Sequence, residues 1–270
     1  MDFTFEKYKE LLQTLNENRY ISVLRFKECS RLDGCEWKDE ASVSRCRYVL
    51  LRHDVDLKPF NSLRTAQIEK EFGMKAIYYF RAVAESWDEE IIKHISSLGH
   101  EIGYHYECLT TCKGNIDAAY QDFCFNLQRL SELIGQPIKS ICMHGSPRSS
   151  FDSRDIWKKY DYHLLGIDFE PYLDTDWSRI LYLTDTGRRW DGYKVSVRDK
   201  IPNWQERWES EGLSFHTTDD VINRIPTIPY NLMITTHPQR WNEIGLAWVQ
   251  ELILQNAKNI VKQHIVHHQC

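Results

Sequence analysis

The sequence predicts one α/β domain, with parallel strands inside, helices outside and the sheet closing toward a barrel. Three observations carry this. Short β-prone runs alternate with helical stripes along most of the chain. No low-complexity linker and no solenoid-type repeat divides it. Four clusters of acids and histidines each directly follow a β-prone stretch: His53-Asp54-Val55-Asp56, Tyr104-His105-Tyr106-Glu107, Met143-His144-Gly145-Ser146-Pro147 and Thr236-His237-Pro238. A barrel of parallel strands gathers its strand ends at one mouth, where four such clusters act on one small object.

The elements follow in order. Phe5, Tyr8, Leu11, Leu12 and Leu15 form a helical stripe. Tyr20 to Phe26 reads as a short strand, and Lys27 to Arg47 as a long polar excursion. Tyr48 to Leu51 is a buried-type strand, and Asn61 to Phe72 a helix stopped by Gly73. Ala76 to Phe80 is the next strand. Asp88 caps a helix that ends at Gly99. Glu101 to His105 is a strand, Ile116 to Ile134 a long amphipathic helix closed by Gly135, and Ile138 to Cys142 a strand. Ser153 to Tyr160 reads as a short helix, and Leu164–Ile167, Ile180–Leu183 and Tyr193–Val197 as extended. Asp219 to Ile225 is a helical turn, Leu232 to Thr235 a strand, and Glu243 to about His264 a closing helix. The irregular stretch from Phe169 to Pro229 suits loops over the mouth. The core is expected over about 48–241, behind an N-terminal helical extension 1–47, within one domain of 1–270.

The formal net charge of −5 gives no electrostatic case for nucleic acid. Hydrophobic content of 42% supports a buried core. The 9 Trp and 14 Tyr offer flat faces for sugar rings, but such rings also fill cores. No segment has the apolar length to span a bilayer. The N-terminus lacks a basic stretch followed by an apolar one, and the 8 cysteines are unevenly spaced, so reduced thiols and a cytoplasmic location are expected.

Asp54 and Asp56 stand two apart, so extended backbone points both to one side. Such a pair suits one carboxylate on a cation and one free as a base; a helix cap or turn explains one Asp but not both. His105 and Glu107 repeat the spacing and can present nitrogen and oxygen to one divalent ion, zinc above all. The alternative is a strand-end histidine satisfied by its neighbours. His144, held by the Gly145-Pro147 turn, is a ligand or a substrate contact. Pro238 keeps His237 extended, where it can act as a general acid. Arg188 follows the Thr184-Gly187 turn and offers a guanidinium to a polar substrate, with a surface ion pair as the alternative. His53 and Trp241 complete the expected substrate contacts.

These residues resemble the polysaccharide deacetylase family, the carbohydrate esterases of family 4. Arg52-His53-Asp54-Val55-Asp56 resembles the family's paired-Asp motif, Gly99-His100-Glu101-Ile102-Gly103-Tyr104-His105 its Gly-His-x-Ile-Gly-x-His motif, and Ile234-Thr235-Thr236-His237 its last catalytic strand. The strings Gly-Tyr-His-Tyr-Glu, Cys-Met-His-Gly-Ser-Pro and Thr-His-Pro-Gln-Arg-Trp resemble the narrower WbmS-like branch, associated with O-antigen sugar loci. The resemblance implies a distorted (β/α) barrel of the glycoside hydrolase/deacetylase type and a divalent metal: zinc, with nickel, cobalt or manganese as alternatives. It makes Asp54 the base, Asp56 and His105 metal ligands and His237 the acid. Leu109 stands where the family has its second metal histidine, and His144-Gly145-Ser146-Pro147 replaces the turn that carries the arginine partner of the base. Glu107 is the preferred replacement ligand and His144 the alternative.

The expected activity is metal-dependent removal of an N-acyl group from an amino sugar, on a nucleotide-sugar or lipid-linked precursor. A catalytically silent carbohydrate-binding protein on the same scaffold is the alternative. A glycosidase is disfavoured, because Asp54 and Asp56 are too near in sequence to flank a sugar from opposite sides.

Overall fold

The computed structural model describes residues 1–26, 47–145, 149–194 and 199–267, the last seven of these by their backbone alone. Its elements are α1 (Phe5–Glu17), β1 (Tyr20–Ser22), β2 (Arg47–Val55), α2 (Pro59–Glu71), β3 (Ala76–Phe80), α3 (Glu89–Ser97), β4 (Glu101–Tyr106), α4 (Cys108–Thr111), α5 (Ile116–Ile134), β5 (Ile141–Met143), β6 (Ile180–Thr184), α6 (Gln205–Ser210), α7 (Thr218–Arg224), β7 (Asn231–Thr236) and α8 (Leu246–His267). Every strand pairing is parallel, in the order β5-β4-β3-β2-β7-β6. β1 lies beside the first residues of β2, on the edge that β3 continues. No ladder joins β5 to β6 among the described residues. The sheet is therefore a barrel left open on one side, as the α/β reading expected.

Local chemistry explains the boundaries. Thr4, Asp88 and Asn115 accept backbone N–H bonds at the starts of α1, α3 and α5, and Gly135 closes α5 in the left-handed conformation. Thr217 and Asp220 form a reciprocal capping box on α7. Gly103 is required by packing: a Cβ there would strike the ring of Tyr79 on the neighbouring strand.

Several expectations are corrected. β1 stops at Ser22, and the polar excursion falls largely outside the described residues. β2 runs on to Val55, so His53 and Asp54 belong to the strand itself. β5 begins at Ile141; Ser140 instead bridges Phe169. The extended run at Leu164–Ile167 is a 3-10 turn over Tyr162–Leu165, because Asp161 caps it and Gly166 ends it with φ 76°. Ser153–Lys158 is likewise 3-10. Gly192–Lys194 is a 3-10 turn, and 195–198 lie outside the described residues. α4 and α6 have no counterpart in the sequence reading.

The nine residues of β2 organise both faces of the sheet. Arg52 and Asp54 point into the concave side, where Arg52 lies under the rings of Tyr79 and Tyr172. His53, one residue out of phase, points to the convex side, where α1 and α2 pack. There Glu69 of α2 is fully buried and accepts hydrogen bonds from Tyr8 Oη (2.5 Å), His53 Nε2 (2.6 Å) and Tyr78 Oη (2.6 Å). His53 Nδ1 lies 2.6 Å from Thr236 Oγ1. Burial favours the protonated form of Glu69, but the His53 partner outweighs it and holds the carboxyl below the ordinary range. His100 is also structural. Its Nδ1 accepts the Ala76 N–H at 3.2 Å and its Nε2 donates to the Ala66 carbonyl at 3.0 Å.

Candidate active site

Three strand ends bring Asp56, His105 and His144 together. Asp56 follows β2, His105 lies near the end of β4, and His144 follows β5. One ligand atom from each lies within 4.8 Å of the others. Asp56 Oδ1 is 3.6 Å from His105 Nε2 and 3.6 Å from His144 Nε2. Those separations exceed a hydrogen bond. They match two ligands on a tetrahedral zinc, which stand roughly 3.4 Å apart when each is about 2.1 Å from the ion.

The protonation pattern points the same way. His105 Nδ1 is 2.9 Å from the Cys142 carbonyl, which can only accept, so Nδ1 carries the proton and Nε2 the lone pair. His144 Nδ1 is 2.9 Å from Glu107 Oε2, with the same consequence. Burial lowers the His105 pKa to about 4, against the pull of Asp54, and keeps the ring neutral near neutral pH. Asp56 Oδ1 is buried and has no hydrogen-bond partner among the described residues. An orphaned carboxylate oxygen facing two imidazole lone pairs fits a divalent cation.

Glu107 is not in this group, which corrects the preferred third ligand. It is the residue at the start of α4, with φ −137° and ψ 24°, so strand alternation has already ended there. Its Oε1 accepts from Arg81 Nε (3.0 Å) and Nη2 (2.7 Å), and its Oε2 accepts from His144. Burial opposes its charge, but the His144 hydrogen bond and Arg81 hold its pKa to about 2. Glu107 thus stands one step behind His144 and orients it.

Asp54 lies beside the triad, with Oδ2 3.8 Å from His105 Nε2. Arg52 grips it from two residues earlier on the same face, Nε to Oδ1 at 2.8 Å and Nη2 to Oδ2 at 2.7 Å. Burial would raise the Asp54 pKa; Arg52, with His105 next, holds it far below the ordinary carboxylate range. Among the described residues the arginine partner of Asp54 is therefore Arg52, on β2 itself.

His237 faces the triad from the opposite side, its Nε2 3.9 Å from Asp56 Oδ2. Its Nδ1 lies 2.6 Å from Asp185 Oδ1, which as a carboxylate only accepts and so places the proton on Nδ1, with Arg240 Nη1 2.7 Å from the same nitrogen; its backbone N–H donates to the same carboxylate. Asp185 is fully buried and also accepts from Arg240 Nη1 (2.7 Å) and Trp241 Nε1 (2.8 Å). Burial and Arg240 oppose charge on His237; the Asp185 and Asp56 carboxylates prevail and raise its pKa.

The remaining expected substrate contacts lie elsewhere. His53 is turned to the convex face. Trp241 is 1% exposed, packs against Phe3, Tyr8 and Trp190, and spends its N–H on Asp185. Arg188 is buried over the rings of Phe3 and Trp248 and donates to the Arg240 carbonyl. Leu109, at the missing histidine position, is buried in α4. Residues the sequence reading passed over carry much of the geometry. Arg52 was two residues before Asp54 in an extended run. Asp185 followed the apolar run of β6, and Arg81 followed β3, the pattern used to find the histidines.

No family model matches the sequence, and no curated protein matches it. Solved structures do. A family 4 carbohydrate esterase from Streptomyces lividans in complex with acetate is 13% identical with a TM-score of 0.42, over 78% of this chain and 88% of that one. One from Bacillus anthracis is 12% identical with a TM-score of 0.42, over 93% and 84%. A mutant of a family 4 pseudoenzyme with restored enzymatic activity is 15% identical with a TM-score of 0.43, over 80% of this chain and 65% of that one. These are similarities of chain path; the roles of residues rest on the geometry above.

Proposed function

We propose that this protein is a metal-dependent amide hydrolase that removes an N-acyl group from an amino sugar or its activated precursor. One observation carries the reading. A carboxylate gripped by arginine, Asp54–Arg52, and an imidazole gripped by carboxylate, His237–Asp185, flank the same Asp56–His105–His144 group.

Asp56 Oδ1 and the two Nε2 atoms would hold the cation, which supplies Lewis acidity toward the acyl oxygen and toward water. Asp54 accepts one proton from the attacking water, whose oxygen bonds to the acyl carbon. Arg52 fixes that carboxylate and keeps it ionised. As the carbon–nitrogen bond breaks, His237 delivers its Nε2 proton to the nitrogen, and amine and carboxylate leave. Asp185 keeps the His237 proton on Nδ1 and favours the imidazolium that the step consumes. A bare binding protein needs neither pair.

The Gly-Tyr-His-Tyr-Glu and Cys-Met-His-Gly-Ser-Pro strings support placing the activity in the WbmS-like branch, on surface-polysaccharide precursors such as nucleotide-linked or lipid-linked sugars. Among the described residues no helix is long and apolar enough to cross a membrane.

The test is Asp54→Asn in metal-loaded protein, assayed on N-acetylated amino sugars. Turnover should fall by at least roughly 10²- to 10⁴-fold, the range that general acid–base groups supply, with cation affinity retained. Unchanged turnover at full metal occupancy contradicts the assignment. Sugar binding indifferent to chelator, with no turnover by either protein, favours the silent binding protein.

A further inference from the structure

We propose that Gln239 makes this site selective for amides over esters: its side-chain carbonyl accepts the N–H of the bond that is cut. The inference rests on the hydrolase reading and adds its specificity. Gln239 lies in the 3-10 turn Pro238–Arg240, immediately after His237. Its side chain is almost wholly enclosed, with the residue 6% exposed. Nε2 donates to Asp56 Oδ2 at 3.2 Å. An ionised carboxylate accepts only, so this contact fixes which end of the amide is nitrogen. The other end, Oε1, is buried and has no hydrogen-bond partner among the described residues.

Two nearby donors bond to other acceptors. Arg240 Nη1 donates to Asp185, and Asn61 Nδ2 donates to Pro238 O, Trp241 O and Asn242 Oδ1. Asn242 Nδ2 reaches the Gln239 backbone carbonyl at 3.4 Å, not the side chain. A planar amide places Oε1 roughly 2.2 Å from Nε2. Oε1 therefore lies within roughly 5.4 Å of Asp56 Oδ2, which is itself 3.9 Å from His237 Nε2. The leaving atom of the substrate must approach that imidazole to receive its proton. In a secondary amide the leaving nitrogen carries one hydrogen, which satisfies the waiting acceptor. In an ester the leaving oxygen has lone pairs only. Oε1 then stays buried and unpaired against another acceptor, and a site built around a substrate N–H discriminates against an analogue without it.

The experiment uses a matched pair, N-acetylglucosamine and 2-O-acetylglucose. Turnover is measured with the metal-loaded wild type and equilibrium binding with the Asp54→Asn protein, where the chemical step is disabled. The amide should be favoured in both readouts by roughly ten- to a hundredfold. In Gln239→Met, similar in length but without donor or acceptor, the ratio should collapse toward unity. Gln239→Glu retains an oxygen acceptor and should keep the preference. A purely structural role for Gln239 would weaken both ligands alike and leave the ratio unmoved. Equal handling of the pair by the wild type, an unmoved ratio in Gln239→Met, or no binding of either compound overturns the inference. Selective binding of the amide without turnover would leave it standing and remove the hydrolase reading instead. Because the ratio is also read in the Gln239-intact protein, a variant that fails to fold does not prevent a decision.

Discussion

Replacing Asp185 by asparagine is expected to lower turnover by roughly 10³- to 10⁴-fold, the scale seen when a catalytic histidine loses the carboxylate that orients it. The change keeps the side chain's shape. It removes the negative charge that holds the proton on His237 Nδ1 and offsets Arg240. The sign of the pH effect follows. The His237 pKa is raised in the folded protein, so the proton donor is present at low pH and is lost as pH rises through that raised value. Without the Asp185 charge, burial and Arg240 act unopposed on that side and the pKa falls. The alkaline limb of the kcat/KM profile should therefore move to lower pH. Cation affinity should stay near that of the wild type, because Asp185 touches none of Asp56, His105 and His144. Unchanged turnover, or a limb that does not move, would show that His237 is not the acid.

Glu69→Ala should destabilise the fold by about 3–5 kcal/mol, the summed cost of leaving several buried hydrogen-bonding groups unpaired at about 1–3 kcal/mol each. The substitution strands the Tyr8 and Tyr78 hydroxyls and His53 Nε2 together, none with access to water. It also leaves a cavity between α1, α2 and β2. The Glu69 pKa is lowered in the fold, so its stabilising contribution is complete above the unfolded carboxylate value and is lost as pH falls through the folded one. His100 is lowered too, chiefly by burial, so the fold also loses stability as pH drops below the unfolded histidine value of about 6.5. Denaturant unfolding of both proteins at neutral and mildly acidic pH checks this. Wild-type stability should fall on acidification, and the variant should begin lower and fall less steeply below the unfolded glutamate value of about 4.3. A loss under 1 kcal/mol would mean that the buried group is replaceable.

Sequence reading succeeds where local pattern decides the structure. The alternation of strands and helices is set by local periodicity, and it was legible. So was the grouping of Asp54, Asp56, His105, His144 and His237, because a parallel sheet must bring its strand ends to one rim. Which face each side chain takes depends on where a strand stops. β2 runs four residues past Leu51, which turns His53 toward Glu69 and away from the mouth. β4 stops at Tyr106, so Glu107 leaves the strand register and meets Arg81. Trp241 and Arg188 were chosen as residue types able to touch a sugar, but packing against Phe3 absorbs both. The partners Arg52 and Asp185 escaped for a different reason. Charged pairing between an arginine and its neighbour on the same strand, or between two strand ends 52 residues apart, leaves no periodic trace.

The central claim is that Asp56, His105 and His144 hold one divalent cation between the Asp54–Arg52 and His237–Asp185 pairs. Anomalous scattering from a crystal grown with zinc or cobalt tests it most directly. The account predicts one peak about 2.0–2.2 Å from Asp56 Oδ1, His105 Nε2 and His144 Nε2, with Glu107 still on Arg81 and Asp54 still on Arg52. No peak among those three atoms at saturating metal, or a peak held by Glu107 in place of His144, would contradict it.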